Sequence, residues 1–375
     1  MTTSEAPGPE NSPLSRSRRI LSTLKAAVSN RIFLNILKAV ATFGAFYLLL
    51  THGVKNEDGT EVSAFRTIVD YIPRIDARTF WIFVAVSAGV KAIGILSSMT
   101  RWHVLLIAQG IRFPFRHIVG SFLIGRFLGT FLPSTLGLDG YKLYDAARFS
   151  KRTVEATAAT VIEKVLGFVG IFLTFLVALP FGGSLLQPYT GGIAAITIPF
   201  SLAIVGAFFL VMTNPRPIQR IIEAIPLPHA GREKLQAFVH RTASAAAAFR
   251  HRGGTLFLAA FLSFLVHFTT AAMYFFTALA IGAAHADFWQ VTLASSVQIL
   301  ATVLSPFTIA GEGIREIVQA ALLKHKLGVT EAILSAALGF WAAEALTLVG
   351  GIVWWARGSN YKPRYCRVET EGTLE

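Results

Sequence analysis

"LPSTLGLDGYK", residues 132–142, interrupts a chain that is apolar on both sides. Upstream stands "IVGSFLIGRFLGTF" and downstream "VLGFVGIFLTFLVAL". The interruption supplies Pro133, Gly137 and Gly140 together with a carboxylate, Asp139, and an ammonium, Lys142. Proline removes a backbone donor and glycine loosens a helical backbone, so a helix is expected to stop here. The pattern returns at residues 305–317 as "SPFTIAGEGIREI", with Pro306, Gly311 and Gly313 as its breakers. Pro133 aligns with Pro306, Thr135 with Thr308, Asp139 with Glu312, Gly140 with Gly313 and Lys142 with Arg315, all at one offset of 173 residues. A period of about half the chain is a two-fold repeat and not a solenoid.

The sequence around these breaks suits a lipid solvent. Of its 375 residues, 53% are hydrophobic and 15% charged, against about 25% charged in ordinary globular chains. Several apolar runs reach roughly 20 residues, the length that crosses a hydrocarbon core of about 30 Å. Hydropathy predicts full spans at 32–51, 80–100, 155–180, 191–213, 254–281 and 329–356, and two apolar stretches, 117–133 and 288–306, that run into the breaks. The expected fold is an all-α polytopic membrane protein. It has six full transmembrane helices and two re-entrant broken-helix hairpins arranged as an inverted repeat, with eight spans as the alternative. Inversion follows because an odd number of crossings separates the two breaks. Residues 1–30 read as a disordered basic arm and 358–375 as a polar tail. Between them, 31–357 form the membrane domain, with repeat halves at about 80–213 and 254–357 joined by a 214–253 loop.

Lysine and arginine concentrate in the N-terminal arm, the 214–253 loop and the tail, while 182–190 and 282–288 have none. Positive charge stays in the cytoplasm, which places both termini there. The 52–79 loop, with Lys55, Arg66, Arg74 and Arg78, fits that rule least well. The net charge of +13 is explained by attraction to anionic headgroups. Nucleic acid is excluded as a partner because the positive charges flank spans and form no domain of their own. Cys366, the single cysteine, rules out an internal disulfide and a multi-cysteine metal site, and the nine histidines lack ligand spacing. No metal and no cofactor is expected. His267 reads as a hydrogen-bonded core residue, Lys38 and Lys91 as snorkelling side chains, and Arg101 and Trp354–Trp355 as markers of the membrane interface.

Discontinuous helices inside a membrane leave backbone groups that must be buried or line a wet cavity. In transporters with inverted repeats, the binding site lies where two such elements meet. Ionisable side chains at that depth cost at least about 2.5–3.5 kcal/mol each, so they pair or face a cavity. Asp139 with Lys142, and Glu312 with Arg315, are spaced i, i+3 and can pair on one helical turn. Glu163, Lys164, Glu316, Arg126 and Glu344 are the further candidates. Two readings of these charges stand: a binding or coupling site, or static ion pairs that lock the hairpins.

The motifs "PSTLGLDGYK" (133–142), "VIEKVLG" (161–167) and "SPFTIAGEGIRE" (305–316), with "RWHVLLIAQG" (101–110), resemble those of the lysylphosphatidylglycerol synthase transmembrane-region family, also called the flippase-like domain family. That family carries P-x-x-x-G-G-D-x-x-R, then ER-x-x-G, then P-x-x-x-G-G-x-G-x-R-E. The chain departs from it with Leu138 for a glycine and with Lys142 and Lys164 for arginines, which keeps charge but loses bidentate phosphate recognition. The resemblance covers about residues 30–357 and implies the lipid-translocating part without the soluble aminoacyl-transferase domain. It implies a lipid flippase or transporter of the bacterial inner membrane, not an enzyme, whose partner is a phospholipid or other polar-headgroup lipid. Self-association into a homo-oligomer stays open. Lys142, Lys164 and Arg315 would hold the headgroup phosphate. Asp139, Glu163, Glu312 and Glu344 would balance those charges, bind a cationic headgroup or carry a proton. No G-x-x-x-x-G-K-(S/T) loop occurs, so an ion gradient or a downhill lipid gradient would drive transport. The alternatives are a membrane-embedded transferase or hydrolase acting on a lipid-linked substrate, and a non-catalytic partner of a lipid-modifying enzyme.

Overall fold

A computed structural model of the chain describes residues 61–131, 136–185, 198–207, 252–304 and 313–357, with short pieces elsewhere. Pro133, Pro306, Gly311 and Glu312 lie outside the described residues, as do most of the spans expected at 32–51 and 191–213. Glu344 lies on a described helix, but its side chain is outside the description.

The described residues between 53 and 76 form short elements. Strands β1 (Gly53–Lys55) and β2 (Glu61–Ser63) pair antiparallel, and Ser63 caps the short helix α1 (Ala64–Tyr71). Helix α2 (Ala77–Ala108) starts at Asp76, whose carboxylate accepts from the amide of Thr79 at 2.7 Å. Such a cap satisfies a donor that the first helical turn leaves open. After β3 (Ile111–Arg112) come α3 (Phe115–Phe131), α4 (Leu136–Ser150) and α5 (Thr153–Gly182). Then follow α6 (Gly253–Ala280), α7 (Phe288–Leu304), α8 (Ile314–Leu327), α9 (Val329–Arg357) and β4 (Cys366–Arg367), which pairs antiparallel with β3.

The repeat in the motifs is also a repeat of elements. Helices α3, α4 and α5 have 17, 15 and 30 residues, and α7, α8 and α9 have 17, 14 and 29. Each trio follows one long helix, α2 or α6, and each breaks between its first two members. Helix α8 opens at Gly313, φ +82°, and closes at Gly328, φ +98°. Both are left-handed conformations that glycine adopts without steric cost. The carboxylate of Glu316 folds back to accept from the Gly313 amide at 2.8 Å, fixing the start of the helix.

Packing crosses between the copies. Helices α2 and α6 share the most extensive helix–helix contact, α5 lies on α6 and α7, and α3 lies on α9. Glycines set the close approaches. A Cβ on Gly182 of α5 would meet the Trp289 carbonyl of α7, and one on Gly350 of α9 would meet the Leu123 carbonyl of α3. Small residues let helical backbones approach where lipid gives no hydrophobic drive for helices to associate. The largest core cluster, including Trp102, Leu105, Leu106, Phe122, Ile162 and Leu166, sits between α2, α3 and α5. Among the described residues, three helical stretches, Ala77–Ala108, Thr153–Leu185 and Gly253–Ala280, are long and apolar enough to cross a membrane.

Candidate functional site

Helix α4 begins just past the first break, with Asp139 in its first turn. The exposed amides of a helix N-terminus favour a negative charge there. One turn on, Lys142 Nζ lies 3.4 Å from Asp139 Oδ1, the i, i+3 pair expected from the spacing. Its stronger partner comes from α5. Nζ donates to both oxygens of Glu163, at 2.9 and 2.7 Å. It also lies 4.9 Å from the ring centre of Trp102 and 5.4 Å from that of Phe122. Ring faces stabilise a desolvated ammonium.

Arg101 of α2 joins the same carboxylate. Its Nη2 donates to Glu163 Oε1 at 3.1 Å and its Nη1 to Ser263 Oγ of α6 at 2.9 Å. Arg101 was expected at the membrane interface, yet it is 7% exposed and buried among helices. Its charge is met by Glu163 inside the protein, so it has no need of water. Lys164, next in sequence to Glu163, points differently and places Nζ 2.7 Å from Asp139 Oδ2.

Four helices thus converge on three cations and two carboxylates, a sum of one positive charge. The members differ in access. The Lys142 side chain is 1% exposed and Glu163 is buried with it, whereas Asp139 is 16% and Lys164 46% exposed. An inner, closed triad of Arg101, Lys142 and Glu163 supports an outer, accessible pair.

The second copy is built otherwise. Arg315 Nη1 lies 3.7 Å from Glu316 Oε1, and both side chains are buried. Counted from the starts of α5 and α9, Gly339 stands where the first copy has Glu163, and α6 carries no arginine, so the first copy's triad has no counterpart. Of the break residues, Gly313 stands at the start of α8 and Gly137 near the start of α4. Gly140 was expected at the break but lies inside α4, past its first turn, with open space beside it. Arg126 of α3 donates from Nε and Nη2 to Thr347 Oγ1 of α9, at 3.3 Å each.

Sequence reasoning missed a second buried polar group. His117 Nε2 of α3 lies 2.7 Å from Asp145 Oδ2 of α4. Arg357, the last residue of α9, donates to the His117 carbonyl at 2.8 Å. Trp354 and Trp355 are exposed, as interfacial anchors should be, but Arg357 turns inward. Lys91 does not snorkel either. Its Nζ donates across to Thr270 Oγ1 of α6 at 3.0 Å. His267 packs against Gly170 and has no hydrogen bond among the described residues.

Long apolar helices, glycine-mediated crossings and an interior charge network define a multi-pass helical membrane protein. The chain belongs to the family described as the lysylphosphatidylglycerol synthase TM region, which it matches over residues 35–351. Membership makes it a membrane protein related to lipid handling. No curated protein and no solved structure matches the chain.

Proposed function

We propose that the protein is a flippase of the bacterial inner membrane, with both termini cytoplasmic, that carries a polar-headgroup lipid between leaflets. The observation that carries this reading is the Asp139–Lys164 pair, accessible at the edge of a buried triad and beside a helix break. Lys164 contacts the headgroup phosphate, and the net positive charge of the cluster favours that anion. Asp139 holds Lys164 in place until the headgroup arrives. Lys142, Glu163 and Arg101 act as the brace behind them, because groups this buried and already paired with one another have little to offer a ligand. In the second copy, Glu312 and Glu344 serve the opposite, inverted end of the path, and Arg315 with Glu316, both buried and paired, brace it. The acyl tails stay in lipid while the headgroup crosses, and an ion gradient or the lipid's own gradient supplies the energy.

The test is lipid scrambling in proteoliposomes. Fluorescent phospholipid is reconstituted with the protein, and the outer leaflet is quenched with dithionite. Wild-type protein should expose more than the outer half of the label. Lys164→Ala and Asp139→Ala should slow this at least about tenfold, the loss of one charge-assisted hydrogen bond, with the unfolding temperature retained. Folded variants that scramble like wild type would remove the pair from the site. Wild-type vesicles that protect as much label as empty ones would remove the flippase reading.

A further inference from the structure

Helices α7 and α8 meet along a polar seam. Thr292, Ser295 and Gln298 are spaced i, i+3, i+6 on one face of α7, and all are buried. Gln319 of α8, also buried, donates from Nε2 to Ser295 Oγ at 2.9 Å. The Gln298 amide nitrogen turns toward Thr302 Oγ1, at 3.5 Å. With both amide nitrogens directed elsewhere, Gln298 Oε1, Gln319 Oε1 and Thr292 Oγ1 have no hydrogen-bond partner among the described residues. Each buried acceptor without a donor costs roughly 1–3 kcal/mol, and native interiors keep few of them.

The first copy is an internal control. At the repeat offset, Thr292 corresponds to Val119, Ser295 to Phe122, Gln298 to Gly125 and Gln319 to Ala146. Helices α3 and α4 pack against each other with all four positions apolar; Phe122 and Ala146 lie within the core. These four positions therefore need no polar side chain for the two helices to pack, although α3 and α4 share a polar pair elsewhere, His117 with Asp145. One copy carries the oxygens and the other does not.

We infer that the α7–α8 seam binds a monovalent cation through the oxygens of Thr292, Ser295, Gln298 and Gln319. Acceptors without donors attract positive charge and repel anions. The donors are neutral amide and hydroxyl oxygens. The nearest carboxylate on α8, Glu316, is already engaged by the Gly313 amide and by Arg315. Among the described residues the seam presents no free carboxylate, which suits a single charge, whereas divalent cations draw on several carboxylates. Two sources supply this chemistry: an alkali ion, and the ammonium of an ethanolamine headgroup. The site belongs to the copy that lacks the Arg101–Lys142–Glu163 triad, and it stands whether or not the Lys164 pair binds lipid.

Thermal unfolding of the purified protein in detergent tests it. Sodium, potassium and choline chloride are compared at equal ionic strength, and phosphatidylethanolamine is compared with phosphatidylglycerol in mixed micelles. An alkali ion should raise the unfolding temperature above that in choline, with a saturable dependence on concentration. A headgroup ammonium should raise it in phosphatidylethanolamine over phosphatidylglycerol. Gln298→Leu and Gln319→Ala should each abolish whichever response occurs while keeping or raising the unfolding temperature in choline. Gln319→Ala copies the first-copy residue Ala146, so it decides the matter if Gln298→Leu fails to fold. Equal unfolding temperatures in all three salts and both lipids would overturn the site, as would a response that survives in the folded variants. Scrambling is a separate readout. Its loss in Lys164→Ala with the cation response intact bears only on the lipid pair.

Discussion

Glu163 ties two buried cations from different helices to α5. It accepts from Lys142 on both oxygens and from Arg101 on one. Glu163→Ala leaves buried Arg101 without its carboxylate and Lys142 with only the Asp139 carboxylate at 3.4 Å, and removing one partner of a buried pair typically costs about 3–5 kcal/mol. Denaturation in detergent should show that loss, and adding Lys142→Met should recover part of it. Outside the membrane, Asp76 gives a pH prediction. The amide of Thr79 holds its carboxylate below the usual range. Its folded pKa is depressed, so its stabilisation is present above the unfolded value of about 3.9 and fades as pH falls through the folded one. Asp76→Asn keeps a capping oxygen and should flatten the acid limb of the stability profile; an unchanged limb would assign that limb to other carboxylates. Asp139, Lys142, Glu163 and Lys164 were visible as candidates because charge in an apolar run is conspicuous. That Arg101 shares Glu163 was not visible, since the two lie 62 residues apart on different helices.

For the helices, hydropathy located the long members and cut one of them well short. The expected span at 80–100 is the helix Ala77–Ala108, and the pattern stopped at Arg101 because a cation normally ends a span. The helix continues because Glu163 neutralises that charge within the protein. Pro133 and Pro306 fall in the two intervals that separate α3 from α4 and α7 from α8. Glycine close approaches are invisible in a single sequence, because a glycine at a crossing and one facing lipid read alike. The structure separates them and so predicts opposite outcomes. Gly350→Ala pushes a methyl onto the Leu123 carbonyl and should destabilise by about 1–3 kcal/mol. Gly89→Ala, with open space beside it on α2, should be neutral or stabilise by up to about 1 kcal/mol. Parallel melting curves of the two variants check both.

Across the whole molecule, the two breaks share one offset and the two trios of helices nearly share their lengths, and the packing joins one trio to the other. Helix α3 rests on α9 and α5 on α7, so each copy completes the other. Contacts between copies leave no periodic trace in sequence, which is why this joint could not be read from the residues. It amounts to a dimer interface kept inside one polypeptide. A chain severed between α5 and α6 should therefore behave as two subunits. Differently tagged halves, co-expressed, should copurify and recover whatever transport the intact protein has. A half produced alone would face water or lipid with surfaces shaped for its twin. It should be degraded, or borrow the missing partner from another molecule of itself, as domain-swapped proteins do.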